Sequence, residues 1–343
     1  MLSNPITTNI SSADAVVLYP TFGHLTRHGR TWRVPITGSV FASGDPCRRK
    51  RRWVRLLQRL NRLHPTDEQR DLFEQRISQF VAATERGKRL AVRVGDQVFP
   101  IKRKTKRNGL LTGSLVLPVD SLPAGAETDG WLPLEVVRPD GDDAGFRGLV
   151  RLLPPTGISV MSDIDDTVKV THVSCRRSLL EYTFLREFEA VQGMAEVYSG
   201  WAQAGAAFHY VSSSPWQLYA PLRRLFDQVR LPLGTFHLRS YRLHEHLLRR
   251  VWKRRAKLSV LKSIVRAFPF RQFVLVGDSG ERDPEIYGAL TRRYRSQVLG
   301  VYVREVPQRP MTAKRCAKAF RGLRADQWQV FSRPDDLPTA LVT

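Results

Sequence analysis

The chain predicts a mixed α/β protein: an N-terminal, mainly β region with helices, then a mostly parallel sheet covered by helices. Three observations carry this. After residue 157, apolar strand-like runs alternate with helical segments, the texture of strands joined by helical crossovers. Before it, short β-type runs are punctuated by Gly, Pro and Asp. A length of 343 residues accommodates two domains. The Pro-Pro-Thr-Gly at 154–157 marks the boundary, giving domains over 1–153 and 154–343.

Within 14–42, AVVLYP, TWRVPI and SVF read as extended. Residues 48–62 follow, with eight cations and no acid. At helical spacing, Trp53, Leu56, Leu57, Leu60 and Leu63 share one face of a helix over 48–63, and Arg52, Arg55, Arg59 and Arg62 the other. A second helix starts after Pro65: Thr66 and Gln69 form a capping-box pattern, and Phe73, Ile77, Phe80 and Val81 its buried stripe. From 89 to 155, LAVRV, VFPIK, LLTGSLVLP, LPLEVV and FRGLVRLL suggest a small antiparallel β-domain. In the second half, strands are expected at 158–163, 208–212, 273–278 and 298–303. The helices between them are expected at Leu179–Glu189, Met194–Ala204, Trp216–Val229, Lys257–Ala267 and Pro284–Tyr294.

Charge narrows the partners. Lys plus Arg number 55 against 32 Asp plus Glu, a net charge of +23, and 44 of the cations are Arg. Such a chain is drawn to polyanions: nucleic acid, anionic lipid or phosphorylated substrates. Cys47, Cys175 and Cys316 are far apart, which excludes a disulfide framework and a structural zinc site and fits a reducing compartment. No apolar run of bilayer length and no secretory leader is visible, so a cytoplasmic protein is expected, touching a membrane at most peripherally.

In parallel sheets, ligands bind at the carboxyl ends of the strands. The first strand of the second half ends in Asp163-Ile164-Asp165-Asp166-Thr167. Crowded acids repel one another unless a cation or substrate compensates. Two carboxylates two residues apart could attack phosphorus and handle the leaving-group proton, although an isolated D-x-D is more often an acidic turn. The next strand ends in Ser212-Ser213-Ser214, an anion cradle or a helix cap. No G-x-S-x-G supports a serine hydrolase. A third strand ends in Gly277-Asp278-Ser279-Gly280-Glu281-Arg282-Asp283. Acids from two strand ends make an oxygen-rich pocket suited to Mg²⁺. Lys257 opens the helix before it.

In this order, D-x-D-x-T, a strand ending in Ser, a Lys and G-D-x-x-x-x-D resemble the haloacid dehalogenase-like phosphohydrolase superfamily. The words SDIDDTVKVT, FLREFEAVQGMAEVYSGW, FHYVSSSPWQLY and FVLVGDSGERDPEIY are similar to the phosphatidate phosphatase catalytic-domain family, over roughly 146–305. The resemblance implies a haloacid dehalogenase-like Rossmannoid parallel sheet and a Mg²⁺-dependent phosphatase acting through an aspartyl-phosphate. It implies Asp163 as nucleophile, and Asp165 as general acid, then base. Ser212 would hold a phosphoryl oxygen, and Lys257 would neutralise charge. Asp163, Asp278, the Asp165 carbonyl and, in support, Asp283 would hold Mg²⁺. Asp166 reads as structural, and His209, Tyr210, Trp216 and Tyr287 as packed. His244 and His246 lie in a basic segment read as solvated.

The stretches between Val168 and Phe208 and between Pro215 and Lys257 are too short for a large cap domain. An open site suits a bulky substrate such as phosphatidate, converted to diacylglycerol. The helix at 48–63 either meets anionic membrane or packs its Leu face internally. Two rival readings remain: a phosphatase of a non-lipid substrate (a nucleic-acid end or phosphoprotein) and a non-catalytic basic polyanion-binding protein. No nucleic-acid-reading motif is present, and no protein partner is inferred.

Overall fold

A computed structural model of the chain describes residues 8–42, 65–123, 125–126, 130–138, 146–172, 175–240 and 250–341. The expected helix at 48–63, Cys47, His244 and His246 lie outside these residues. The described chain divides into two compact units, one drawn mainly from residues 8–42 and 82–155, the other mainly from 65–81 and 156–341.

The first unit is an eight-stranded sheet: β1 (Asp14–Leu18), β2 (Thr21–Leu25), β3 (Thr31–Ala42), β4 (Ala91–Val94), β5 (Gln97–Pro100), β6 (Leu110–Pro118), β7 (Trp131–Val136) and β8 (Arg147–Leu153). Its order is β1-β3-β2-β8-β7-β4-β5, with β6 on β3. Alternation builds it: Trp32, Val34 and Ile36 are buried while Arg33 between them is exposed. Val92, Leu111, Leu117, Leu132 and Val150 complete the core from other strands. Two expectations are corrected here. TWRVPI and SVF are one twelve-residue strand, not two. Gly38 between them is not a break but a point of close approach, since a Cβ there would lie 2.8 Å from the Val17 carbonyl oxygen. The sheet is also not wholly antiparallel, because β2 and β8, distant in sequence, pair parallel.

The second unit holds a six-stranded sheet, ordered β11-β10-β9-β12-β13-β14. These are β9 (Ile158–Ser162), β10 (Ala207–Pro215), β11 (Thr235–Arg239), β12 (Gln272–Asp278), β13 (Val298–Arg304) and β14 (Trp328–Phe331). Neighbours from β10 through β14 run parallel. The central strands are near-continuous apolar runs, with Val160, Met161, Leu275, Val276 and Val301 fully buried, as expected of strands covered on both faces. Seven helices are described: α1 (Arg70–Val81), α2 (Arg176–Phe184), α3 (Met194–Gln203), α4 (Tyr219–Gln228), α5 (Arg250–Ala267), α6 (Asp283–Arg293) and α7 (Ala313–Ala319). β2, β11, α7 and β14 escape the sequence reading, being short and without strong periodicity. Helix α1 packs Phe73 and Ile77 on Phe184 and Leu185, with Phe80 half-buried beside them. Gln69 Oε1 accepts from the Thr66 N–H at 3.2 Å, one half of the expected capping box. No helix among the described residues is long and apolar enough to cross a membrane.

Candidate active site

Two adjacent strands and a helix start bring the acids together. Ser162 at the end of β9 lies level with Tyr210 on one neighbour and Val276 on the other. Asp163 leaves β9 with its N–H donating to the Val276 carbonyl at 2.8 Å, so it emerges one residue short of Asp278 on β12. Asp283 begins α6. Oxygens of Asp163, Asp278 and Asp283 lie within 4.8 Å of one another, all three residues buried. Gly277 makes room for this: a Cβ there would sit 2.3 Å from Asp283 Oδ2.

Lys257 enters from α5. Its Nζ donates to Asp163 Oδ1 at 2.6 Å and to both Asp283 oxygens at 2.7 and 2.8 Å. Burial works against its charge, but the Asp163 and Asp283 carboxylates outweigh it and raise the ammonium pKa well above the ordinary lysine range. The acids are driven the other way. Burial, then repulsion from Asp283, Asp278 and Asp165, raises Asp163 well above the usual carboxylate range despite Lys257. Burial and Asp283 do the same to Asp278. Asp278 Oδ1 accepts from the Gly280 and Glu281 N–H groups, while Oδ2 is buried with no hydrogen-bond partner. A cluster of hard oxygens, one of them unsatisfied and all resisting ionisation, suits a divalent cation such as Mg²⁺.

Asp165 points elsewhere. Its carboxylate accepts from Ser212 Oγ at 2.9 Å, Ser214 Oγ at 2.6 Å and Thr171 Oγ1 at 2.9 Å, and pairs with Lys169 Nζ at 2.9 Å. Burial opposes its charge, yet the Lys169 pair and the serine hydroxyls hold its pKa far below the usual range. The structure therefore separates two settings: Asp163, Asp278, Asp283 and Lys257 in one cluster, Asp165 and Ser212 in another. The Asp165 side chain is not part of the three-acid group.

Local backbone explains the second setting. The N–H groups of Val168 and Lys169 both donate to the Ile164 carbonyl, and Asp166 takes a positive φ of 55°, folding the strand end back on itself. Asp166 Oδ1 accepts from the N–H groups of Thr171 and His172, the structural part expected of it. The reversal returns Lys169 to Asp165. Lys169 is buried, with Nζ also donating to Thr171 Oγ1 at 2.5 Å and lying 4.5 Å from the Phe188 ring centre. Arg76 of α1 contacts the same ring at 4.0 Å. Sequence reading missed Lys169, Thr171 and Ser214. Little in the sequence signals Lys169, because Val168-Lys169-Val170 alternates as a half-exposed extended segment does, with Lys169 on the face opposite the two valines. His209, Tyr210, Trp216 and Tyr287 are all buried. Tyr287 also donates to the Val276 carbonyl at 3.0 Å and to Asp283 Oδ2 at 3.3 Å, so it props the acidic cluster.

Comparison with known proteins bears on the same segment. Residues 158–305 match the family described as phosphatidate phosphatase APP1, catalytic domain. An uncharacterized protein of Schizosaccharomyces pombe is 33% identical over 166 residues, which is 47% of this chain and 27% of the relative. Phosphatidate phosphatase APP1 of Saccharomyces cerevisiae is 32% identical over 190 residues, 52% of this chain and 32% of the relative. The chain thus spans less than a third of the length of the curated relatives it matches. Residues 158–305, the part that builds the two carboxylate settings, are similar to the phosphatidate phosphatase APP1 catalytic domain.

Proposed function

We propose that the protein is a Mg²⁺-dependent phosphatase of the haloacid dehalogenase-like kind, and that its substrate is a lipid phosphomonoester, phosphatidate foremost. The observation that carries this reading is Asp163 held by Lys257 beside Asp278, at the ends of adjacent strands. The family of residues 158–305 supports the substrate class.

Asp163 Oδ1 is occupied by Lys257, leaving the second oxygen to attack phosphorus. As that bond forms, the phosphorus–oxygen bond to the alcohol breaks and Asp165 gives the alkoxide a proton. Asp165 then takes a proton from water as the water attacks the aspartyl-phosphate, releasing phosphate and restoring Asp163. In the present geometry Asp165 is held ionised by four donors. An entering phosphoryl group draws the Ser212 and Ser214 hydroxyls to its own oxygens, and losing those donors raises Asp165 toward protonation. Lys257 balances charge on Asp163 and the phosphoryl oxygens. Asp163, Asp278 and the Asp165 carbonyl would hold Mg²⁺, with Asp283 fixing Lys257; the ion supplies neutralisation of the developing phosphoryl charge.

Asp163→Asn tests the reading. Phosphate release from phosphatidate, lysophosphatidate, diacylglycerol pyrophosphate and phosphorylated oligonucleotides is measured with Mg²⁺ and with EDTA. The expected result is Mg²⁺-dependent turnover of the lipids and its loss in Asp163→Asn, with the thermal midpoint kept because Asn is nearly isosteric and relieves repulsion among the acids. Turnover at the wild-type rate in Asp163→Asn removes the nucleophile assignment. Preference for the oligonucleotides moves the substrate to the non-lipid class.

A further inference from the structure

Away from the reacting carboxylates, the second unit holds a cleft of about 400 Å³ lined by Arg282, Glu285, Arg292, Arg309, Lys318 and Ala319. Its volume falls among small-molecule sites, about 300–1,000 Å³. Arg282, Glu285 and Arg292 lie at or along α6, so the cleft follows much of the length of that helix, about 15 Å from Arg282 to Arg292. The space is longer than a single inorganic phosphate needs.

The lining is charged in one sense. Four cations face one carboxylate, and that carboxylate is already paired, Arg315 Nε donating to Glu285 Oε1 at 3.0 Å. Two of the cations are braced by backbone. Arg292 Nη1 donates to the Ala319 and Arg321 carbonyls at 2.9 and 3.2 Å, and Arg309 Nη1 to the Gly280 and Glu281 carbonyls. Carbonyls orient a guanidinium without cancelling its charge, so its remaining N–H groups are pre-aimed. Burial, then the neighbouring charges of Arg315 and Arg282, pulls the Arg309 pKa down against the opposing carboxylates of Glu285 and Asp278. Arg282 and Lys318 are exposed, and neither has an ion pair among the described residues. A separate feature points to a second kind of group: the partly exposed Glu285 carboxylate lines the same space, an acceptor that a phosphate cannot satisfy and a hydroxyl can.

We propose that this cleft is a second ligand site that takes a phosphorylated polyol. Its phosphate oxygens meet Arg282, Arg309, Arg292 and Lys318, and one of its hydroxyls donates to the Glu285 carboxylate. Cations alone would suit any anion; the carboxylate among them selects one that also carries hydroxyls. The site does not depend on the reaction assigned to Asp163, because none of its lining side chains takes part in that chemistry. It adjoins it through the Ser279–Glu281 backbone, to whose carbonyls Arg309 and Arg315 donate and whose N–H groups hold Asp278.

Isothermal titration of the full chain in EDTA, at physiological salt, tests this with sn-glycerol 3-phosphate and inorganic phosphate as probes. Without a metal ion the acidic cluster repels phosphate, so the heat reports on other sites. The test variant is Arg282→Gln with Lys318→Gln. The control, Lys102→Gln with Lys104→Gln, removes the same charge from exposed positions of the first unit. Wild type should bind glycerol 3-phosphate more tightly than inorganic phosphate. The test variant should lose about tenfold or more in affinity, the scale of one charge-assisted hydrogen bond, and the control should keep it. Arg282→Gln alone and Lys318→Gln alone should each lose part, which covers the case in which the double variant folds poorly. Equal losses in test and control variants, no loss in either, or equal affinity for the two probes overturns the proposal. Co-sedimentation with phosphatidylcholine vesicles, with and without phosphatidylglycerol, separates the sources. A lipid headgroup predicts that the test variant loses the phosphatidylglycerol-dependent fraction; a soluble polyol phosphate predicts that only the calorimetric loss appears.

Discussion

Lys169 and Lys257 are both buried lysines, and each is tied to one aspartate of the D-x-D pair. Their settings give the two carboxylates opposite tendencies, Asp163 resisting ionisation and Asp165 favouring it. The proposed roles need the reverse, an ionised Asp163 and a protonated Asp165, so a cation at the three acids and a phosphoryl group at Ser212 and Ser214 would have to invert the order. Lys169 contacts no residue assigned to metal binding except Asp165, so its removal isolates the second setting. Lys169→Met should cost about 3 kcal/mol of stability, since a buried carboxylate loses its partner. Denaturant unfolding reads that cost. The same variant should slow turnover on every lipid substrate alike, because the Asp165 carboxylate loses its orientation; steady-state assays across the panel give the answer. An unchanged midpoint and rate would leave Lys169 as a bystander.

Among the elements, α6 carries three tasks. Its first residue, Asp283, grips Lys257; its next turn carries Tyr287 under the acids; its outer face lines the cationic cleft. Pro284 at the start suits the helix, because a first-turn N–H has no intrahelical partner to lose. Gly288 lets α7 approach: a Cβ there would lie 1.9 Å from the Ala319 carbonyl oxygen. Gly288→Ala should therefore force the helices apart and destabilise by about 1–3 kcal/mol, despite the better helix propensity of Ala. A thermal melt that rises on this substitution would contradict the packing argument. Because Arg292 braces the same Ala319 carbonyl, a displaced α7 should also weaken glycerol 3-phosphate binding in the titration described above.

At the scale of the molecule, charge and protons decide behaviour. His209 is fully buried in β10, and burial, with His237 and Arg271 nearby, holds its pKa well below the ordinary value. Burial pushes His237 down to about 4. The unfolded chain protonates these groups near 6.5, so between that pH and the lower folded values it binds more protons than the native state. Stability is therefore complete above about pH 6.5 and falls as pH drops, by at most about 1.4 kcal/mol per pH unit for each histidine. Melting from pH 7.5 to 5 should show this fall, and His209→Gln should reduce its slope. A flat profile would mean that the histidines are solvated. Net charge +23 carries the last expectation. Binding to phosphatidylserine vesicles should weaken as salt rises, since screening acts over about 10 Å at 0.1 M. Replacing Arg48, Arg51, Arg52, Arg55 and Arg59 with Gln should lower that binding while hydrolysis of a soluble short-chain substrate persists. Vesicle binding that ignores both salt and substitutions would tie these arginines to the protein's own packing.

The apolar runs at 158–162, 272–278 and 298–304 were legible because strands buried on both faces are near-continuous apolar stretches. Asp163, Asp165, Asp278 and Asp283 were legible because each lies at or just past a strand end or at a helix start; Ser212 lies inside β10, and Lys257 lies within α5, which begins at Arg250 among the described residues, so the expectation that Lys257 opens its helix is corrected. What a linear chain cannot express is which oxygen faces which cation. Asp163 and Asp165 are two residues apart, yet one meets a lysine 94 positions away and the other a lysine four positions on, through a turn set by the positive φ of Asp166. The cationic cleft was hidden for the same reason. Arg282, Arg309 and Lys318 are scattered among 44 arginines and 11 lysines, and only the packing of α7 on α6 at Gly288 gathers them around Glu285. Local sequence determines which residues end a strand, because burial and hydrogen bonding there are nearly one-dimensional. Tertiary contact alone decides their charge states, because desolvation and Coulomb energy depend on neighbours brought close by the fold.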